Sequence, residues 1–165
     1  MILICYDGSP DSRAAVERAA ELFGEEPATV LTVWEPFVQM AARTSLGIGL
    51  VPFTPDPEEI DEASAKAAEE TAAEGAELAR GLGMTAQPKS VSESNTTSRT
   101  ILSEADAIDA AAIVMGSRGL TGVKSLLLGS VSHEVVQHAD RAVVVVPSPE
   151  IAASRARVAH DGGAA

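Results

Sequence analysis

The chain reads as an α/β protein: one open parallel sheet with helices on both faces. Three observations carry that reading. Short apolar runs alternate with stretches of helical period along most of the 165 residues, the pattern of repeated βαβ units. The apolar runs are continuous, as in strands buried on both faces. Finally, residues 110–114 feed directly into Met115-Gly116-Ser117-Arg118-Gly119, and nine residues later comes Gly129-Ser130-Val131-Ser132. Strand, glycine-rich loop and helix, in that order, build an anion site in such a sheet. Glycine lets the backbone come close to a ligand, and the free N–H groups at a helix start point at negative charge.

The elements follow in order. Residues 2–6 (ILICY) form a first buried strand, ending in Asp7-Gly8-Ser9-Pro10. Ser9 suits a helix N-cap with Pro10 at the first helical position. Ala14, Ala15, Ala19 and Leu22 carry the apolar spacing and Gly24 closes the helix. Residues 28–34 form a second strand. Residues 35–55 hold Pro36, Pro52, Pro55, Gly47 and Gly49, and read as a long loop with a short helical piece over 38–43. Such a loop is either a lid or an ordinary insertion, and the sequence weighs the two equally.

Asp56-Pro57-Glu58-Glu59 has the composition of a helix start. Ile60, Ala63, Ala67, Thr71, Leu78 and Leu82 keep one stripe to about Gly83, and the acidic opposite side is a solvated face. A third strand falls near 85–91, a Ser/Thr-rich connection over 92–98 and a helix over 99–107. The fourth strand covers 111–115. The helix after Ser130 is expected to carry Val131, Val135 and Val136 on one side, and Ala142–Val146 is the last strand, stopped by Pro147. Residues 1–148 form one domain. Residues 149–165 lack apolar periodicity and read as a mobile tail.

Composition bounds the function. The net charge of -12 argues against general affinity for nucleic acid or anionic membranes, which needs clustered Lys and Arg. A local phosphate site built from backbone N–H groups stays open. Aromatics make up 3%, so Val, Ile, Leu and Ala must build the core. Cys5 is the single cysteine and reads as a buried small hydrophobe rather than a nucleophile. The chain opens on a strand without a basic leader, and no apolar stretch reaches the length of a membrane span; a cytoplasmic protein is the expectation. His133 and His138 are five apart, not the three or four that share a helix face, so no metal site is read. No Gly-x-Ser-x-Gly elbow surrounds Ser117, Ser125 or Ser132.

In open parallel sheets, ligands bind beyond the carboxyl ends of the strands where strand order reverses. If the first and fourth strands are neighbours, Asp7 and the glycine loop face one crevice.

These residues resemble the universal stress protein family, specifically its ATP-binding branch, over residues 1–147. The resemblance rests on Ile-Leu-Ile-Cys-Tyr-Asp-Gly-Ser at the start, the Val-Met-Gly-Ser-Arg-Gly block, the Val-Val-Val-Val-Pro strand, and the signature Gly-x-x-Gly, nine residues, Gly-Ser, met here by Gly116, Gly119, Gly129 and Ser130. It implies a Rossmann-like, five-stranded parallel sheet of order 3-2-1-4-5. It places Asp7 near the nucleoside and any bound metal, Cys5 at the adenine region and Val33 against adenine through its backbone. Met115 and Gly116 would lie on the ribose, and Gly119, Gly129, Ser130 and Ser132 on the phosphates, with Val131 offering its N–H. Ser117 and Arg118 occupy the loop itself. Lys124 is placed near the phosphates by its position alone. The resemblance further implies ATP with Mg2+ carried by the phosphates, and a homodimer through Ala142–Val146, an apolar edge that invites pairing.

Two departures stand out. Many relatives have Gly and Pro where this chain has Ser94-Asn95-Thr96-Thr97-Ser98, and Val, Ala or Pro where it has Cys5. The expected function is a small ATP-binding regulatory protein with no identifiable catalytic base. The alternatives are a slow ATPase or nucleotide-using enzyme of the same fold, and a dimerisation module with an empty cleft. Asp7 also suits a turn, Arg118 a solvated loop, and Ser130 and Ser132 helix caps.

Overall fold

The computed structural model describes residues 1–44, 56–120 and 128–153. Lys124, Ser125, His160, residues 45–55 of the expected 35–55 loop and the end of the expected tail lie outside the described residues. Five strands, β1 (Ile2–Cys5), β2 (Ala28–Trp34), β3 (Ala86–Ser92), β4 (Ala112–Gly116) and β5 (Ala142–Val146), alternate with helices α1 (Pro10–Phe23), α2 (Phe37–Thr44), α3 (Pro57–Gly81), α4 (Thr97–Ala107) and α5 (Ser130–His138). Every strand pair is parallel, and the order is β3-β2-β1-β4-β5.

Side chains alternate across β1. Ile2, Ile4 and Tyr6 pack with Val30, Val114 and the α1 and α3 residues Ala15, Val16, Ala76 and Ala79. Leu3 turns the other way, with Leu31, Ile113 and Met115, onto Ile101 and Ala105 of α4 and Val135 of α5. Both faces of the central strands are therefore dry, which is why their sequence shows no polar alternation. Val136 departs from its expected stripe. It is 47% exposed, whereas Val135 is fully buried, because one helical step of 100° carries the next residue off the packed face.

Three helices begin with the caps their sequences offer. Ser9 accepts the Ser12 N–H, Asp56 the Glu58 N–H and Thr96 the Arg99 N–H, each contributing about 1 kcal/mol. Thr96 thus sets the start of α4 two residues earlier than its apolar spacing suggests. In place of Gly and Pro, hydroxyls organise the approach to α4: Thr100 Oγ1 donates to the Thr96 carbonyl at 3.1 Å and receives the Ser94 N–H at 3.2 Å. Residues 149–153 form a helical turn in which the Ala152 N–H reaches the Ser148 carbonyl at 2.9 Å. No helix among the described residues is long and apolar enough to cross a membrane.

The two sheet edges differ. β3 carries Gln87, Pro88 and Lys89, which blunt it against further pairing, whereas β5 is Ala-Val-Val-Val-Val.

Candidate nucleotide site

Strand order reverses between β1 and β4, which pair directly through Ile2, Leu3 and Ile4. The chain continues from β1 into Asp7 and from β4 into the glycine loop, so both segments leave the sheet side by side. Between them and the start of α5 lies a cavity of about 400 Å³, the size of a small-molecule or cofactor site. Eleven of the twelve residues singled out above line it: Cys5, Asp7, Val33, Met115, Gly116, Arg118, Gly119, Gly129, Ser130, Val131 and Ser132. Ser117 does not. It is 1% exposed and its hydroxyl points away, donating to Asp11 Oδ2 at 2.7 Å.

One end of the cavity is an apolar slot formed by Cys5, Leu31, Val33, Ile101 and Met115. Burial pushes the Cys5 thiol up to about 12, and the Asp7 carboxylate adds to the rise. A thiol so placed is neutral at physiological pH and inert as a nucleophile. The other end is polar. Asp7 Oδ1 accepts the Ser9 N–H at 3.0 Å, so the residue serves the turn as well as the cavity wall. Asp7 Oδ2 comes within 2.7 Å of where a Cβ on Gly119 would sit, so a side chain there would have to push the carboxylate aside.

Gly116 has a different reason to be glycine. A Cβ there would stand 2.9 Å from the Asp11 carbonyl carbon, the Asp11 Cβ and the Ser12 nitrogen. The first turn of α1 packs directly on its backbone, so Gly116 is a packing requirement at the edge of the cavity. At Gly129, by contrast, a Cβ would find only ordinary contacts, 3.4 Å from the Ser117 oxygen and 3.8 Å from Ser132 Oγ.

The donors are also distributed unexpectedly. Within the loop, the Ser117 N–H goes to the Val146 carbonyl at 2.7 Å and the Arg118 N–H to Asp11 Oδ2 at 3.1 Å. Both are spent inside the fold. At the start of α5 the Gly129 N–H is likewise used, on the Ser117 carbonyl at 2.8 Å. The cap position is Gly129, with no side-chain cap, and Ser132 Oγ turns inward to the carbonyls of Ser117 and Gly129. The N–H groups of Ser130, Val131 and Ser132 lie in the uncapped first turn of α5, whose residues line the cavity, and the first turn of a helix is where backbone donors can meet an anion. Arg118 is the one basic side chain among the described lining residues.

Sequence reasoning missed Tyr6, Ser12, Leu31, Thr97, Ile101 and Leu120 of the lining, and Asp11 behind it. Leu31 and Ile101 carry ordinary core signals, and Thr97 lay in a stretch read as connection. Asp11 looks like a first-turn helix acid; its partner is 106 residues away, and nothing local announces it.

Residues 1–147 match the sequence model of the universal stress protein family. Universal stress protein YxiE of Bacillus subtilis is 30% identical over 147 residues, covering 88% of this chain and 97% of that protein. Among solved structures, universal stress protein UspA of Lactobacillus plantarum superposes with a TM-score of 0.67 at 21% identity, over 88% of this chain and 95% of that one. The universal stress protein of Archaeoglobus fulgidus in complex with dAMP gives 0.56 at 20% identity, over 88% and 95%. Two further structures of this fold were solved with cAMP and with AMP bound.

Proposed function

Because the chain belongs to the universal stress protein family, we propose that it is a regulatory protein that binds an adenine nucleotide, with ATP and phosphate-carried Mg2+ as the working ligand. The observation that carries this is the cavity at the strand-order reversal, apolar at one end and faced by an uncapped helix start at the other. That polarity matches a nucleotide. The flat base enters the slot of Cys5, Leu31, Val33, Ile101 and Met115, and the phosphates rest on the first turn of α5 with Arg118 and Gly119 beside them. The dAMP, AMP and cAMP complexes of other members of this fold support an adenine base.

Asp7 is the one acidic side chain among the described lining residues. A single carboxylate suits Mg2+ only as an addition to substrate phosphates, so the ion is assigned to the nucleotide. The protein then acts by offering partners different surfaces with and without nucleotide. Titration of a fluorescent ATP analogue tests the reading: saturable binding competed by ATP or AMP is expected, and absence of saturable binding with or without Mg2+ overturns it.

A homodimer through β5 belongs to the same proposal. β5 is an apolar edge without the Pro and Lys that blunt β3, and an antiparallel pairing across a two-fold axis would cover it. Sedimentation at micromolar concentration should give a dimer; monomer alone contradicts the pairing.

A further inference from the structure

We infer that Asp11 and Ser117 form a buried latch that positions the phosphate end of the nucleotide site, without either side chain touching the ligand. This rests on the nucleotide reading above and names what holds its geometry. Ser117, fully buried, directs its polar groups at three separate elements. Its N–H reaches the Val146 carbonyl at the end of β5, 2.7 Å away. Its hydroxyl donates to Asp11 Oδ2 in the first turn of α1 at 2.7 Å. Its carbonyl accepts the Gly129 N–H at 2.8 Å and Ser132 Oγ at 2.9 Å, both at the start of α5. The same Asp11 oxygen takes the Arg118 N–H at 3.1 Å.

The position of the α5 first turn relative to Asp7 and Gly119 is therefore set through one residue. Asp11 is 5% exposed, so its two bonds operate away from competing water. The close packing of α1 on Gly116 brings its carboxylate within reach. A phosphate resting on α5 depends on donors aimed to within fractions of an ångström. Removing the latch leaves those donors in place but frees the loop, and the α5 start bonded to the Ser117 carbonyl, to shift against α1. The base slot, built from β1, β2, β4 and α4, is anchored independently.

The test compares ATP with adenosine as ligands for the full chain and three variants, Ser117→Ala, Asp11→Ala and Asp11→Asn. Loss of a buried acceptor, which leaves its donors without a partner, justifies an effect of about tenfold or more. Ser117→Ala and Asp11→Ala are expected to weaken ATP by that factor while adenosine changes less than about twofold. Asp11→Asn is the control for charge, since it removes the same charge as Asp11→Ala but keeps an acceptor oxygen. It should hold ATP affinity near that of the parent or tighten it. A second readout needs no ligand: amide exchange at Gly129 should quicken in Ser117→Ala, although the carbonyl it bonds is unchanged. Should Asp11→Ala not fold, Ser117→Ala and Asp11→Asn decide the matter. Equal losses for ATP and adenosine, unchanged ATP affinity in Ser117→Ala, or identical behaviour of Asp11→Ala and Asp11→Asn each overturn the latch. A parent protein that binds no ATP overturns the nucleotide reading instead, leaving the exchange result to judge the latch alone.

Discussion

Alanine at each of the three signature glycines should separate packing from ligand contact. In Gly116→Ala the new methyl meets the Asp11 carbonyl carbon, the Asp11 Cβ and the Ser12 nitrogen, all at 2.9 Å. Two of these are backbone atoms in the first turn of a helix, so the helix or the strand end must move. Overpacking of that kind costs about 1–3 kcal/mol. For a domain of this size that is a fall in Tm of roughly 3–10 °C. In Gly119→Ala the nearest atom is Asp7 Oδ2 at 2.7 Å, and the next is the Asp7 Cγ at 4.0 Å. A carboxylate tip can swing aside and Gly119 is exposed, so stability should change by less than about 1 kcal/mol. The displaced carboxylate and the methyl both intrude on the crevice, and ATP affinity should fall about tenfold or more. In Gly129→Ala the contacts are ordinary and φ is -71°; loss of a good cap residue and gain from a stiffer unfolded chain offset each other to within about 1 kcal/mol. Thermal unfolding by circular dichroism and nucleotide titration, run in parallel, give the two axes. A Gly116→Ala protein melting with the parent, or a Gly119→Ala protein losing several degrees while binding normally, would refute this division of labour.

Three further outcomes are expected. Gly75→Ala in α3 sets helix propensity against packing: alanine gains about 1 kcal/mol as a helix former, but its methyl would lie 2.7 Å from the Tyr6 ring and 2.9 Å from Val30 Cγ1. The site is buried, so overpacking by about 1–3 kcal/mol should prevail and denaturant unfolding should show a net loss. Burial, followed by the hydrogen bond to Glu74, raises the Tyr6 hydroxyl from 10.0 to about 12. A raised folded-state value means its contribution is complete below about pH 10 and is lost as pH climbs toward 12. Tyr6→Phe should flatten that part of the alkaline decline, leaving the share due to Cys5, whose thiol is raised from 9.0 to about 12. Finally, Cys5 should resist thiol-specific labelling at pH 8 in the folded protein and label fully in denaturant; rapid labelling of the native state would contradict its protected, neutral form.

The sheet was legible in the sequence because its signals are local and repeated. Continuous apolar runs, Ser9-Pro10 and Asp56-Pro57 at helix starts, and Pro147 after β5 each act within a few residues. The candidate site was legible to the extent that its residues flank strand ends: Asp7 after β1 and the loop after β4 follow from topology once the strand order is known. What could not be read is direction. Ser117 sits in the middle of the signature, yet its side chain faces Asp11, and no spacing rule tells a serine that faces a ligand from one that faces a helix 106 residues away. Val136 failed for a similar reason, a single step around α5 separating it from buried Val135.

Those directions change what the glycine signature is for. A glycine-rich loop after a strand is usually credited with wrapping its own N–H groups around phosphate. Here the N–H groups of Ser117 and Arg118 are committed to Val146 and Asp11, and Gly116 is there to admit α1. On the nucleotide reading proposed above, the loop would therefore contribute shape and spacing, and donation would fall to the first turn of α5. This also reconciles an anion site with a net charge of -12. Backbone donors at a helix start act over the length of a hydrogen bond and need no long-range positive field. A protein so acidic would repel polyanions at a distance and hold one only where its backbone is aimed. That makes the aim, and the residues that fix it, the quantity on which the site depends.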